Sequence, residues 1–393
     1  MVGVEIVRDI FWVGVVDWNI RDFHGYFTRR GTTYNAYLLR DEKNVLVDTV
    51  KHTFAAELER NISEIVGLDE LDYIIVNHLE MDHSSALPRI VEKAKNAKVI
   101  VSQRGKNAFI RHYGEEIDVE PVKTGDQLKV GRRTLTFIEA PMLHWPDSMF
   151  TYVVEDAVLM PNDAFGQHLA TSKRFDDEVD GAILMEEATK YYANILMPLW
   201  KPIARKIEEV VAMGVPIKII APSHGIIWRS DPMKIVSAYK SWSGGATKNK
   251  AVIVYDSMWG STTLMARAIA EGISSRGLEV KFFKLRESDM TDIVAEILEA
   301  KTVVVGSPTI NTSMFPSVGS FLTYIGGLKP VGKTWAFFGS YGWGGGAVKQ
   351  MAEMARRAGF DVYDRSMEVQ YVPTGQELKE CFDFGREAAE KAK

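Results

Sequence analysis

The run Asn77-His78-Leu79-Glu80-Met81-Asp82-His83 constrains this chain more than any other stretch. It follows Leu71-Asp72-Tyr73-Ile74-Ile75-Val76, an apolar run that reads as a buried strand. Two imidazoles and two carboxylates then arrive together, spaced His78-x-Glu80-x-Asp82-His83. A strand end is a rigid launch point, and the loop after it can turn all four side chains toward one point. A polar βα loop ending in a helix cap accounts for Asp82 or Ser84, but not for histidines alternating with carboxylates. The pattern predicts a metal site. Mixed His and carboxylate ligation suits iron or manganese better than an all-imidazole site does.

A length of 393 residues predicts two or three domains. The formal net charge of −5, with no long basic block, argues against nucleic acid as the main partner. No apolar run is long enough to span a bilayer, and Met1-Val2-Gly3-Val4-Glu5 lacks the basic start of a signal peptide. The one cysteine, Cys381, cannot form an internal disulfide, which fits a cytoplasmic protein. It also excludes a built-in rubredoxin or iron–sulfur centre, since both need several thiolates.

Residues 4–16 and 34–49 read as strands of a mixed sheet, with Asp22-Phe23-His24-Gly25-Tyr26 as a loop between them and a helix over 53–66. His52 and His112 sit in helical patterns beside charged residues and read as solvated. Beyond Thr134–Ala140 comes Met142-Leu143-His144-Trp145-Pro146-Asp147-Ser148; further on come Met160-Pro161-Asn162-Asp163 and the strand-like run Ile217–Ser223 before His224. Each is a weak signal alone. An Asp just past a strand, such as Asp163, is often only a turn residue. Tyr191 and Tyr192 start a helical stretch.

The character changes at Ser241-Trp242-Ser243-Gly244-Gly245-Ala246-Thr247-Lys248, where small, flexible residues mark a boundary. We expect domains over 1–247 and 248–393. None of the chain's 8 histidines lies beyond His224, so metal chemistry belongs to the first domain. The second reads strand, loop, helix five times, which argues for a doubly wound parallel sheet of flavodoxin order with its ligand beyond the C-terminal strand ends.

Three loops are expected there. Ser257-Met258-Trp259-Gly260-Ser261-Thr262 precedes a helix and offers hydroxyls and N–H groups to a phosphate. Ser307-Pro308-Thr309-Ile310-Asn311 and Ser340-Tyr341-Gly342-Trp343-Gly344-Gly345 follow later strands, and Tyr341 and Trp343 suit stacking on a planar ring. The Rossmann and P-loop glycine patterns are both missing from these loops, which argues against NAD and ATP.

With His78-x-Glu80-x-Asp82-His83 the chain resembles the flavodiiron proteins, also called A-type flavoproteins. Metallo-β-lactamase-fold hydrolases carry His-x-His-x-Asp-His at this point and hold two zinc ions; here Glu80 replaces the second His, making the site harder and more negative. The three later loops resemble the flavin mononucleotide (FMN) site of flavodoxins, and Ser257-Met258-Trp259-Gly260-Ser261-Thr262 is closer to the flavodiiron form. The resemblance covers nearly the whole chain. It implies a metallo-β-lactamase-like αβ/βα sandwich followed by a flavodoxin-like doubly wound parallel sheet, carrying two non-haem irons and FMN.

By resemblance, one iron takes His78, Glu80 and His144, the other takes Asp82, His83 and His224, and Asp163 bridges them. Some relatives leave the position of His83 uncoordinated. His24 and Tyr192 are implied near the substrate pocket without binding metal; His168 either orients a ligand or makes a structural hydrogen bond. The implied activity is reduction of dioxygen to water, or of nitric oxide to nitrous oxide. Electrons are expected from an external donor, rubredoxin first and the reduced deazaflavin F420H2 as the alternative. A head-to-tail homodimer or dimer of dimers is expected. Two rivals stand beside it: a dizinc hydrolase with a flavodoxin domain, and an electron carrier with a vestigial first domain.

Overall fold

The computed structural model describes residues 3–391; Met1–Val2 and Ala392–Lys393, the outer ends of the two expected domains, lie outside them. The chain divides into two compact units, Met1–Tyr191 with Lys201–Lys240, and Tyr192–Trp200 with Ser241–Lys393.

In the first unit two sheets pack face to face. One runs in the order Val4–Val7, Ile10–Trp12, Tyr37–Leu39, Asn44–Val47, Leu71–Val76, Lys98–Ser102, Val119–Val122, with the last four strands parallel. The other runs Gln127–Lys129, Thr134–Glu139, Met149–Val153, Val158–Met160, Ile219–Ile220. Strand side chains alternate faces, so a strand covered on both sides must be apolar throughout. Val45, Val47, Ile75 and Ile100 accordingly face Leu135, Phe137, Val158 and Met160 of the second sheet. Their neighbours Leu46, Ile74, Val76 and Val101 face Leu58, Ile62, Leu87, Ile90 and Phe109 on the helices Ala55–Ser63, Leu87–Lys93 and Gly105–Tyr113. Each such side chain contributes about 1.5–3 kcal/mol by leaving water.

This layering brings the loops after Asn44–Val47, Leu71–Val76 and Val158–Met160 to one edge. A buried carboxylate binds them there: Asp48 accepts the backbone N–H of Asn77 at 2.8 Å and the side-chain amides of Asn77 and Asn162, each at 3.2 Å.

The second unit is a parallel sheet in the order Glu279–Lys284, Lys250–Tyr255, Thr302–Ile310, Thr334–Tyr341, with a last position shared by Asp361–Val362 and Met367–Gln370. The fifth strand expected from the strand–helix alternation is thus two short ones. Helices Ser261–Ser274 and Gly375–Lys391 cover one face through Met265, Ile269, Ile273, Phe384 and Ala388. They cross almost backbone to backbone: a Cβ on Gly272 would stand 2.0 Å from the Phe382 carbonyl oxygen, and one on Gly385 2.2 Å from that of Ile269. The segment Tyr192–Trp200 joins this unit through Asn194, whose amide donates to the Thr291 carbonyl at 3.0 Å and accepts from the Tyr324 hydroxyl at 2.8 Å. Among the described residues no helix is long and apolar enough to cross a membrane.

Candidate metal centre and flavin cleft

Seven side chains from four loops converge at the edge of the first unit. Donor atoms of His78, Glu80, His144 and Asp163 form one group, and those of Asp82, His83 and His224 another, each within 4.8 Å. The imidazoles aim Nε2 inward: His144 lies 3.0 Å from Oε2 of Glu80, His78 lies 3.2 Å from the same oxygen, and His224 lies 3.0 Å from Oδ2 of Asp82. Asp163 faces both groups. Its Oδ2 lies 3.3 Å from His144 and 3.7 Å from His78, while its Oδ1 lies 3.0 Å from His83 and 3.5 Å from His224.

Surrounding groups aim these donors. His78 Nδ1 meets Oδ2 of Asp147 at 3.0 Å, and His224 Nδ1 meets the Thr33 carbonyl at 2.6 Å, leaving each Nε2 for the centre. Nδ1 of buried His83 has no such hydrogen-bond partner. His24 occupies a turn rather than an open loop: Asp22–Phe23 pairs with Tyr26–Phe27, and His24 and Gly25 take the left-handed conformations, φ 57° and 70°, of a two-residue hairpin. From there its Nε2 reaches Oε1 of Glu80 at 2.9 Å. His168 hydrogen-bonds Thr32 at 2.8 Å and packs edge-on against His224, with ring centres 5.0 Å apart. Burial first, then the nearby His224, hold it well below the usual histidine range.

The tyrosine expectation needs correcting. Tyr191 is the one whose hydroxyl donates to Oδ1 of Asp163, at 3.1 Å. Tyr192 belongs to the second unit, where its ring lies 5.1 Å from that of Trp242. Asp147 is a residue the sequence reading left without a role; its place three positions after His144 was the available signal. His52 and His112 are exposed and stand apart from the centre.

The donor set fits a pair of hard divalent ions. Oδ1 and Oδ2 of Asp82 and Oδ2 of Asp163 are buried without a well-directed hydrogen bond, as oxygens aimed at an ion would be. Donors about 2.1 Å from a shared ion stand roughly 3 Å apart, the spacing that recurs here. Burial opposes protonation of the imidazoles, yet the carboxylates outweigh it. Asp147 and Glu80 push His78 up to about 10, Asp163 and Glu80 push His144 up to about 10, and Asp82 and Asp163 push His83 up to about 9. Such a cluster competes for positive charge, which metal ions supply in place of protons.

In the second unit a cleft of about 280 Å³ opens beyond the C-terminal strand ends. Ser257, Met258, Trp259, Ser261, Thr262, Pro308, Thr309, Ser340, Tyr341 and Gly342 of the expected set line it. Tyr371 and Val372, after Met367–Gln370, line it too and carried no signal in sequence. Ser307, Ile310, Asn311, Trp343, Gly344 and Gly345 do not line it, and neither does Gly260. Ser307 instead accepts the Phe315 N–H at 2.8 Å. Gly260, at φ 97°, caps the helix Ser261–Ser274 without a side-chain hydrogen bond, and a helix N-terminus left so is suited to an anion. Thr262 and Ser340 join their hydroxyls at 2.9 Å beside it. Trp259 is 89% exposed, a costly state for an indole that a flat ring system would cover.

A family model described as ODP family beta lactamase matches residues 32–225, and one described as flavodoxin matches residues 253–385. A nitric oxide reductase of Moorella thermoacetica is 51% identical over 390 residues, covering 98% of each chain. The rubredoxin oxygen:oxidoreductase of Desulfovibrio gigas superposes with a TM-score of 0.97 at 39% identity, over 99% of this chain and 98% of that one. The flavodiiron protein of Giardia intestinalis does so with a TM-score of 0.96 at 37% identity, over 100% and 97%. Fold and site together define a class, a lactamase-like metal domain joined to a flavodoxin domain in one oxidoreductase. The chain belongs to the flavodiiron protein family. Its cofactors are FMN and a non-haem diiron site.

Proposed function

We propose that this protein reduces dioxygen to water, nitric oxide to nitrous oxide and water, or both, with electrons relayed through FMN from an external donor. The observation that carries this reading is Asp163, whose two oxygens face two separate His and carboxylate groups. His78, Glu80 and His144 would hold one iron and Asp82, His83 and His224 the other, with a carboxylate oxygen of Asp163 turned toward each group. The iron pair and FMN, both reduced, supply four electrons, the number needed to take dioxygen to water.

The protein's own groups shape the site. With three carboxylates, Glu80, Asp82 and Asp163, the donor set would leave two divalent ions a modest positive excess. The Tyr191 hydroxyl donates to Asp163. Burial disfavours a charge on His24, but its bond to Glu80 outweighs this and raises its pKa. His24 and Tyr191 then tune the choice between the two gases. In the cleft Ser257–Thr262 would hold the FMN phosphate, and Trp259 and Tyr341 would hold its ring.

Rubredoxin is the first donor and F420H2 the alternative, in a cytoplasmic, head-to-tail homodimer or dimer of dimers. Reduced protein, mixed anaerobically with each gas after reduction by each donor, tests the reading by stopped-flow. Rapid flavin reoxidation by at least one gas, with two irons per chain, is expected. Zinc-only protein with hydrolase activity and gas-independent flavin overturns it. Mixing a chain lacking Asp163 and His224 with one whose 257–262 loop is disabled tests the dimer, because recovered activity requires transfer between chains.

A further inference from the structure

Behind the metal loops the first unit contains a second cavity, of about 290 Å³, between the outer face of the five-stranded sheet and the helices Trp200–Ala212 and Pro232–Ser243. Its wall is almost wholly hydrocarbon, from Phe150, Leu159, Ile207 and Val236 among others. Two further lining residues, Leu143 and Phe165, are close chain neighbours of His144 and Asp163. At the other end Val211 and Met233 are exposed and form a mouth. The polar groups on the wall are already engaged: the Tyr239 hydroxyl accepts the Phe165 N–H at 2.8 Å, and the Lys206 amine pairs with Glu209.

Water along such a wall finds few of the two to four polar partners that it needs, whereas apolar atoms and molecules lose nothing by settling against it. Dioxygen and nitric oxide are small, uncharged and weak hydrogen-bond acceptors, so they lose little on leaving water. We infer that this cavity takes up small apolar gas molecules and holds them behind the loops that carry His144 and Asp163, raising their local concentration at the centre. The identity of the gas rests on the function proposed above.

Xenon is the probe. Crystals of the holoprotein under xenon pressure should show the atom among Leu159, Ile207 and Val236. Val210→Trp, which fills the cavity away from every proposed ligand, should exclude it. With iron and FMN content unchanged, that variant should raise the apparent KM for the gas about threefold or more at constant kcat, the signature of lost uptake before chemistry. Ile207→Phe serves the same purpose if Val210→Trp fails to fold. An empty wild-type cavity under xenon overturns the inference, as does a filled cavity with unchanged KM. Xenon seats without turnover, so a holoprotein that consumes neither gas overturns only the proposed function.

Discussion

Oδ2 of Asp147 lies 3.0 Å from Nδ1 of His78 and also accepts the backbone N–H of Leu79 at 2.8 Å. One oxygen thus joins the loop after Leu71–Val76 to the loop bearing His144 and sets the angle at which His78 meets the centre. Burial alone would raise the Asp147 carboxyl, but His78 holds it below the usual range, so it stays an acceptor. Asp147→Ala should weaken iron affinity about 10–100-fold, the usual cost of losing such a partner. Chelator competition measures this, with FMN content as the check on folding; unchanged iron affinity would remove Asp147 from the site.

Tyr191 and Tyr192 are separated by a paired substitution. Tyr191→Phe should keep both cofactors and slow gas-driven flavin reoxidation about tenfold, the scale of one hydrogen bond to a charged group. Tyr192→Phe should leave that rate alone. Equal effects from the two changes would contradict the assignment.

Asp48 predicts a pH dependence. Burial holds its carboxyl up at about 6, against the pull of His83 and of the Asn77 and Asn162 amides, whereas an unfolded aspartate titrates near ~3.9. Between these values the folded state binds the extra proton, so this group's contribution to stability falls as pH rises from about 4 to about 6 and stays lost above. Asp48→Asn cannot titrate there. Melts of metal-free protein should therefore show the Tm gap between wild type and variant shifting in the wild type's favour on acidification through that window. A pH-independent gap would refute the account.

Thr262→Val removes one hydroxyl of the pair with Ser340 beside the helix N-terminus. Flavin titration should give an FMN dissociation constant about tenfold higher, consistent with one lost hydrogen bond, at unchanged iron content. Unaltered FMN affinity would place the phosphate elsewhere.

The sequence alone carried whatever depends on neighbours along the chain. His78, Glu80, Asp82 and His83 share one strand-end loop, so their spacing was enough to announce a metal site. The doubly wound order of the second unit followed from five alternations of strand and helix. Ser257 to Thr262 could be singled out as a candidate phosphate loop, since a hydroxyl-rich turn opening a helix is a local feature, and most of it lines the cleft.

Tertiary structure decided what depends on direction. Adjacent residues on a helix point roughly 100° apart, so no spacing rule could choose between Tyr191 and Tyr192; packing turned the first to Asp163 and the second to Trp242. His24 became relevant only because its hairpin folds onto Glu80, and Asp147 only because two distant strands end at one edge. Tyr371 and Val372 reach the flavin cleft for the same reason. Chain order records which donors exist, but the carboxylate that aims an imidazole is chosen by proximity in space, and that proximity arises only when the sheets have packed.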